Sequence, residues 1–118
     1  MAQIRIHQDS LVIELTDLEK VEALHGDLRI PLTSVRQVDV LDEPLKELRG
    51  LRVPGTAIPG RTAVGTWRSR DGKTFVVEHN RSRAIRLRLS GSDYDQVIVG
   101  TDDPESLAAT ITRATRGG

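Results

Sequence analysis

Glycine and proline recur through residues 48–67, LRGLRVPGTAIPGRTAVGTW, and this segment constrains the fold more than any other part of the chain. They stand at Gly50, Pro54, Gly55, Pro59, Gly60 and Gly65. Proline lacks a backbone donor and glycine loses much entropy on ordering, so the segment cannot form a regular helix. We expect an ordered irregular loop that wraps the domain, with Gly55 or Gly60 at positive φ.

The length and composition favour a single small domain over residues 1–118, long enough for a core of its own. The chain contains no cysteine, which excludes disulfides and thiolate catalysis. The first residues, MAQIRIHQDS, lack the apolar region of a signal peptide. No apolar run approaches the ~20 residues that span a bilayer. We therefore expect a cytoplasmic protein without a membrane span.

The charges cancel overall but are segregated along the chain. Residues 9–47 carry ten acids against four bases, whereas residues 48–90 carry ten bases against two acids. Segregation of this kind can create a dipolar surface that binds an anion or associates with a second copy of the chain. The alternative is that the acidic and basic segments lie side by side and neutralise each other.

Local patterns predict a β-hairpin followed by a short helix. Apolar residues alternate with polar ones on both sides of a turn at His7–Ser10, which is typical of a hairpin. Thr16 and Glu19 have the spacing of a capping box, which predicts a helix over 16–25. Further apolar segments predict strands at 28–32, 35–40, 63–69, 73–79, 83–89 and 96–99.

Strands 63–69, 73–79 and 83–89 are expected to form an antiparallel meander. A three-residue loop with Gly72 left-handed pairs Trp67 with Phe75 and keeps both on the buried face. The core then contains Trp67, Phe75, Val77, Ile85 and Leu87, together with Leu107 and Ile111 of a C-terminal helix. The opposite, exposed face carries Arg68, Arg86 and Arg88, with Glu78 near Arg86.

The C-terminal residues predict an amphipathic helix. Asp103 suits the N-cap and Pro104 the first helical position, and Leu107, Ile111 and Ala114 form one apolar stripe. About seven antiparallel strands followed by this helix give a mainly β (α+β) domain.

The segments LEKVEALHGDLRIPLTSVRQVDV, ELRGLRVPGTAIPGRTAVGTW and TDDPESLAATI resemble a family of small actinobacterial proteins of unknown function. That family is similar to bacterial pleckstrin-homology-like (PH-like) domains. The resemblance covers nearly the whole chain. It implies a PH-like barrel of about seven antiparallel strands with a C-terminal helix, to which the helix near 16–25 is an addition. It implies no activity.

No pattern in the sequence predicts catalysis. Gly55–Thr62 approaches the phosphate-loop pattern, but a strand is predicted after it instead of a helix, and Arg61 replaces the lysine. The three histidines, His7, His25 and His79, lack the spacing of a helical metal pair. No nucleophile elbow or carboxylate pair is recognisable. We therefore expect no enzymatic activity, no cofactor and no metal.

The arginine face Arg68, Arg86 and Arg88 is the first candidate binding site. Nucleic acid is not expected there, because aromatic side chains for base stacking are few. Phosphoinositide binding is also not expected, since the first turn, His7–Ser10, lacks the basic residues that many PH domains place there. A protein partner with acidic residues remains, or a homo-oligomer.

We predict a non-catalytic interaction module that binds a protein partner or associates with itself. The alternative is a small-molecule or anion-binding protein whose site is the 53–61 loop. Its binding residues would be Arg52, Gly55, Gly60 and Arg61.

Overall fold

The structure is a computed structural model that describes residues 2–23, 26–48, 51–58, 62–69, 72–79 and 82–116. Within these residues the chain forms nine strands, two helices and two 3₁₀ turns. The strands are β1 (Gln3–His7), β2 (Ser10–Glu14), β3 (Leu28–Pro31), β4 (Val35–Leu41), β5 (Leu51–Ile58), β6 (Thr62–Ser69), β7 (Gly72–Glu78), β8 (Ala84–Leu89) and β9 (Gln96–Gly100). The helices are α1 (Asp17–Ala23) and α2 (Pro104–Arg116), and the 3₁₀ turns are Leu32–Ser34 and Pro44–Glu47.

The strands form two sheets. One has the order β1-β2-β3, and the other has the order β4-β8-β9-β7-β6-β5. The domain is mainly β with a C-terminal helix, as predicted. The prediction of about seven antiparallel strands is wrong, because the described residues contain nine strands and β7 pairs with β9 in parallel. Among the described residues the two sheets do not close into one barrel.

Strand β9 lies between β7 and β8, which were expected to be neighbours. Val77 of β7 and Ile85 of β8 both pair with Val99 of β9. The two residues therefore share the buried face, as expected, but one more strand lies between them. All of residues 97–100 are buried, which is typical of a strand covered on both faces in the interior of a sheet.

The register of β6 against β7 differs from the predicted one. Ser69 pairs with Gly72, and Trp67 pairs with Thr74, so the loop contains two residues instead of three. A slip of one residue reverses the face of every side chain, and it places Trp67 and Phe75 on opposite faces of the sheet. Gly72 has a positive φ of 118°, as expected.

Two hydrophobic clusters result, one on each face of the larger sheet. The main cluster joins β7, β8 and β9 to the smaller sheet and to α2, and it includes Phe75, Val77, Ile85, Leu87, Leu11, Ile13, Ile30 and Ile111, with Leu107 packed against it. The second cluster contains Leu41, Ala63, Trp67, Val76, Ala84 and Ile98, with Leu45 and Leu48 packed against it. The predicted core is thus confirmed except for Trp67, which belongs to the second cluster.

The glycine–proline segment is a strand and not the loop that we expected. Residues 51–58 form β5, which pairs antiparallel with β6 at one end of the sheet order. The ladder shifts register between Arg52 and Gly55, so the proline between them falls at an irregularity, where a missing donor is tolerated. Because Gly60 lies outside the described residues, the positive φ at Gly55 or Gly60 stays a prediction.

Candidate functional site

The three arginines of the predicted basic face do not share one face. By register, Arg86 and Arg88 of β8 lie on the face that carries Trp67 and the second cluster. Arg68 pairs with Lys73 and is one position out of phase with Trp67, so it lies on the other face. The prediction for Arg68 is wrong because the β6–β7 register is one residue away from the predicted one.

Asp39 of β4 interacts with Arg86 and Arg88, the two arginines that share one face. It is the cross-strand partner of Arg86, whose Nη2 and Nε donate to Asp39 Oδ2 at 3.1 and 3.3 Å. Gln37 Nε2 donates to Asp39 Oδ1 at 2.8 Å, and Arg88 Nε lies 3.7 Å from Oδ2. Burial raises the pKa of Asp39, but the hydrogen bonds and the arginine charges outweigh burial and hold it below its usual value. Here the acidic and basic segments do lie side by side.

A row of polar side chains crosses four strands beside this ion pair. Gln37, Arg88, Gln96 and Thr74 occupy consecutive register positions on β4, β8, β9 and β7. Beyond Thr74 the row continues through Trp67 of β6 to Arg52 of β5. The Arg88 side chain is 46% exposed, and the 3.7 Å ion pair is its one polar contact among the described residues. We call the following set the polar face: Gln37, Asp39, Thr74, Arg86, Arg88 and Gln96.

The residues of the predicted binding loop are not brought together as a loop. Arg52 and Gly55 belong to β5, where Arg52 pairs with Trp67 and Gly55 pairs with Gly65. The backbone of Arg52 therefore lies at the β5 end of the row that contains Arg88. Gly60 and Arg61 lie outside the described residues.

Glu19, which is buried, pairs with His79, which is half-buried, and the sequence did not reveal this pair. The predicted capping box is confirmed: Thr16 N–H donates to Glu19 Oε1 at 2.8 Å, and Glu19 N–H donates to Thr16 Oγ1 at 3.1 Å. Glu19 Oε2 lies 2.8 Å from Nε2 of His79, which is 60 residues away along the chain. Burial raises the pKa of Glu19, but the bonds from Thr16 and His79 contribute to holding it below its usual value. The pair fixes α1 against the end of β7.

Glu78 lies in the interior of the protein, although we expected it on an exposed face beside Arg86. The residue is 0% exposed, and its Oε1 accepts a hydrogen bond from Ser82 Oγ at 2.6 Å. Its Oε2 has no hydrogen-bond partner among the described residues. Burial raises the pKa of Glu78 to about 7, although bonds from Ser82 and from the backbone of His79 oppose the change.

A cleft of about 380 Å³ lies between β1, the end of β9 and the first turns of α2. Val99 and Leu107 are among the apolar residues that line it, and Asp103, Ser106 and Thr110 of α2 are among the polar ones. Those polar groups are used within the helix: Asp103 Oδ1 accepts from Ser106 N–H at 3.2 Å, and Thr110 Oγ1 donates to the Ser106 carbonyl at 3.0 Å. The predicted N-cap is thereby confirmed.

In the described part of the chain, no three His, Asp or Glu side chains cluster as metal ligands.

Comparisons with known proteins found no matching family model, no matching curated protein and no matching solved structure. Neither helix in the described residues is long and apolar enough to cross a membrane.

Proposed function

We propose that this protein is a non-catalytic interaction module that binds an acidic segment of a protein partner on the polar face. One observation carries the proposal. Arg88 is almost half exposed beside Asp39, whose carboxylate already accepts bonds from Arg86 and Gln37. The planar guanidinium of an arginine can donate two parallel hydrogen bonds to one carboxylate, so Arg88 is suited to bind an external carboxylate.

The neighbours of Arg88 support a peptide-sized ligand. Gln37 on one side and Gln96 and Thr74 on the other give amide and hydroxyl groups along one row of the sheet. Gln96 and Thr74 are half-buried and Gln37 is exposed. A partner segment that crosses these strands could place one acidic side chain on Arg88 and form hydrogen bonds on either side of it.

Charge pairing within the molecule favours a different protein over a second copy. Several acids of the N-terminal half are already paired with bases of the same chain, namely Glu14 with Arg5, Asp27 with Lys20, Asp39 with Arg86 and Asp42 with Arg83. A second copy that offered these acids would have to break existing pairs.

The proposal includes a PH-like fold and a cytoplasmic location. The sequence resemblance supports the fold, and so does α2, which closes the chain and contacts β4 and β8. Two separate sheets and the parallel pair of β7 with β9 would be departures from that plan.

The alternative of a small-molecule or anion site at 53–61 has less support, because residues 53–58 belong to strand β5, which pairs with β6.

The test is binding of a labelled peptide of alternating Glu and Ser, followed by fluorescence anisotropy at low and high salt. We expect salt-sensitive binding that Arg88→Gln weakens roughly fivefold. The matched control is Arg29→Gln, which removes an exposed arginine from β3 of the other sheet. Equal effects of the two variants, or no binding by the parent, would overturn the proposal. Sedimentation of the parent and of Arg88→Gln at low salt tests self-association. If the parent forms a dimer that Arg88→Gln does not form, the partner of the polar face is a second copy of the chain and the proposed acidic partner is wrong.

A further inference from the structure

The carboxyl group of Glu78 lies at the point where β7 and β9 end and β8 begins. Glu78 is the last residue of β7, and its side chain packs directly on the backbone of Gly100, the last residue of β9. A Cβ atom at Gly100 would overlap Glu78 Oε1 and would lie 2.8 Å from Ser82 Oγ. A side chain at position 100 would therefore force the Glu78 carboxyl or the Ser82 hydroxyl to shift.

The described residues around the carboxyl offer no compensating charge. Across β6 its register partner is Ala63, across β9 it meets Gly100, and from the β7–β8 connection it meets the hydroxyl of Ser82. The titratable and charged side chains that follow Glu78 in sequence interact with other groups: His79 with Glu19, and Arg83 with Asp42 and Glu105.

The two protonation states of Glu78 differ in the cost of burial. As a neutral acid, Glu78 can donate its proton to Ser82 Oγ across the same 2.6 Å contact, and Oε2 is then a carbonyl oxygen. As a carboxylate, it keeps the bonds from Ser82 and from the backbone of His79, but its Oε2 is a buried charged oxygen without a hydrogen-bond partner among the described residues. Burying an uncompensated charge is far more costly than burying a carbonyl, so ionisation works against the closed arrangement.

We propose that Glu78 is a proton-dependent clasp, which as a neutral acid holds Ser82 close to Gly100 at the end of β9 and which loosens that end of the sheet on ionisation. Two backbone bonds report on the clasp. Ser82 N–H donates to the His79 carbonyl at 3.2 Å, and Thr101 N–H donates to the Arg83 carbonyl at 2.9 Å.

The sign of the effect follows from the pKa of Glu78, which rises from 4.5 to about 7 on folding. The folded state holds its proton longer than the unfolded state does, so stability is fully present below 4.5 and declines as the pH rises through 7. Above that range both states are ionised and the decline stops.

The test uses the whole protein in two measurements. Carbon-13 NMR of the glutamate carboxyls, assigned by comparison with Glu78→Gln, should show one group that titrates near 7. Between about pH 5 and 8, the unfolding equilibrium constant of the parent should rise on the order of 50-fold relative to that of Glu78→Gln. The control is Glu43→Gln, an exposed carboxylate, which should keep the pH dependence of the parent.

Amide hydrogen exchange distinguishes the proposed clasp from a buried acid whose ionisation does not loosen the end of the sheet. Protection of the Ser82 and Thr101 amides in the parent should fall as Glu78 ionises, and it should stay constant in Glu78→Gln. Ser82→Ala should raise the pKa of Glu78 further, because the Ser82 bond lowers it in the parent. A Glu78 that titrates near its ordinary value, or protection of both amides that is unchanged through its titration, would overturn the proposal. The parent measurements decide the matter even if Glu78→Gln does not fold.

Discussion

Arg86 of β8 and Asp39 of β4 are directly opposite each other in an antiparallel register, and both side chains are largely buried. The side chains are 16% and 24% exposed, and the guanidinium donates two hydrogen bonds to one carboxylate oxygen. Removing one member of a pair with this degree of burial leaves the other charge poorly solvated. The pair therefore stabilises this side of the sheet and also keeps Asp39 from fully engaging Arg88.

Replacing Asp39 by alanine should lower the free energy of unfolding by about 1–3 kcal/mol, because Arg86 would lose the two hydrogen bonds that it donates to Asp39. Urea denaturation measures the change. In the double variant with Arg86→Gln, the loss should be smaller than the sum of the two single losses. Strict additivity would show that the two side chains do not interact.

Glu19→Gln should weaken the domain at neutral pH but much less in acid. The pKa of Glu19 is lowered on folding, so its stabilisation is present above the ordinary value of 4.5 and is lost as the pH falls through the lower folded value. Thermal denaturation from about pH 3 to 7 measures the difference between parent and variant. Asp17→Asn, an exposed change in the same helical turn, is the control. A variant that differs from the parent equally at every pH would contradict the assignment.

Phe75→Ala should cost about 3–5 kcal/mol, because it leaves a cavity in the main cluster. Phe75 is 0% exposed, and its ring centroid lies 5.5 Å from that of Tyr94. Leu18→Ala removes a large apolar side chain that is 68% exposed, and it should change the free energy of unfolding by less than about 0.5 kcal/mol. Chemical denaturation of the two variants side by side tests the placement of the core.

Gly72→Ala should cost about 2 kcal/mol or more, because two penalties combine. Gly72 has φ of 118°, and a Cβ there would collide with Oδ2 of Asp95 and lie 2.6 Å from its Cγ. Asp95 Oδ2 also accepts the Lys73 N–H at 2.8 Å, so it cannot move away without loss. Gly91→Ala, at φ of 71° with nothing within 4 Å, isolates the backbone penalty and should cost about 1 kcal/mol. Equal melting of the two variants would rule out the collision.

Local interactions could be predicted from the sequence because their partners are a few residues apart. The hairpin pairs His7 with Ser10, and the capping box joins Thr16 to Glu19. The N-cap of α2 at Asp103 is of the same kind. In each case the side chain satisfies backbone groups of its own turn, so the choice of residue types at a fixed spacing is enough to determine the structure.

Pairing between distant strands was decided by the tertiary structure. β7 is buried on both faces from Phe75 to Glu78, so alternation of apolar residues does not identify one core face, and the register with Trp67 was predicted one residue away from the observed one. The same strand carries Glu78 into the interior, although a charged residue is usually exposed. The bond between Asp39 and Arg86 spans 47 residues, and it exists because β8 lies beside β4. Which strands become neighbours depends on how both faces of the whole sheet are covered, and no local segment contains that information.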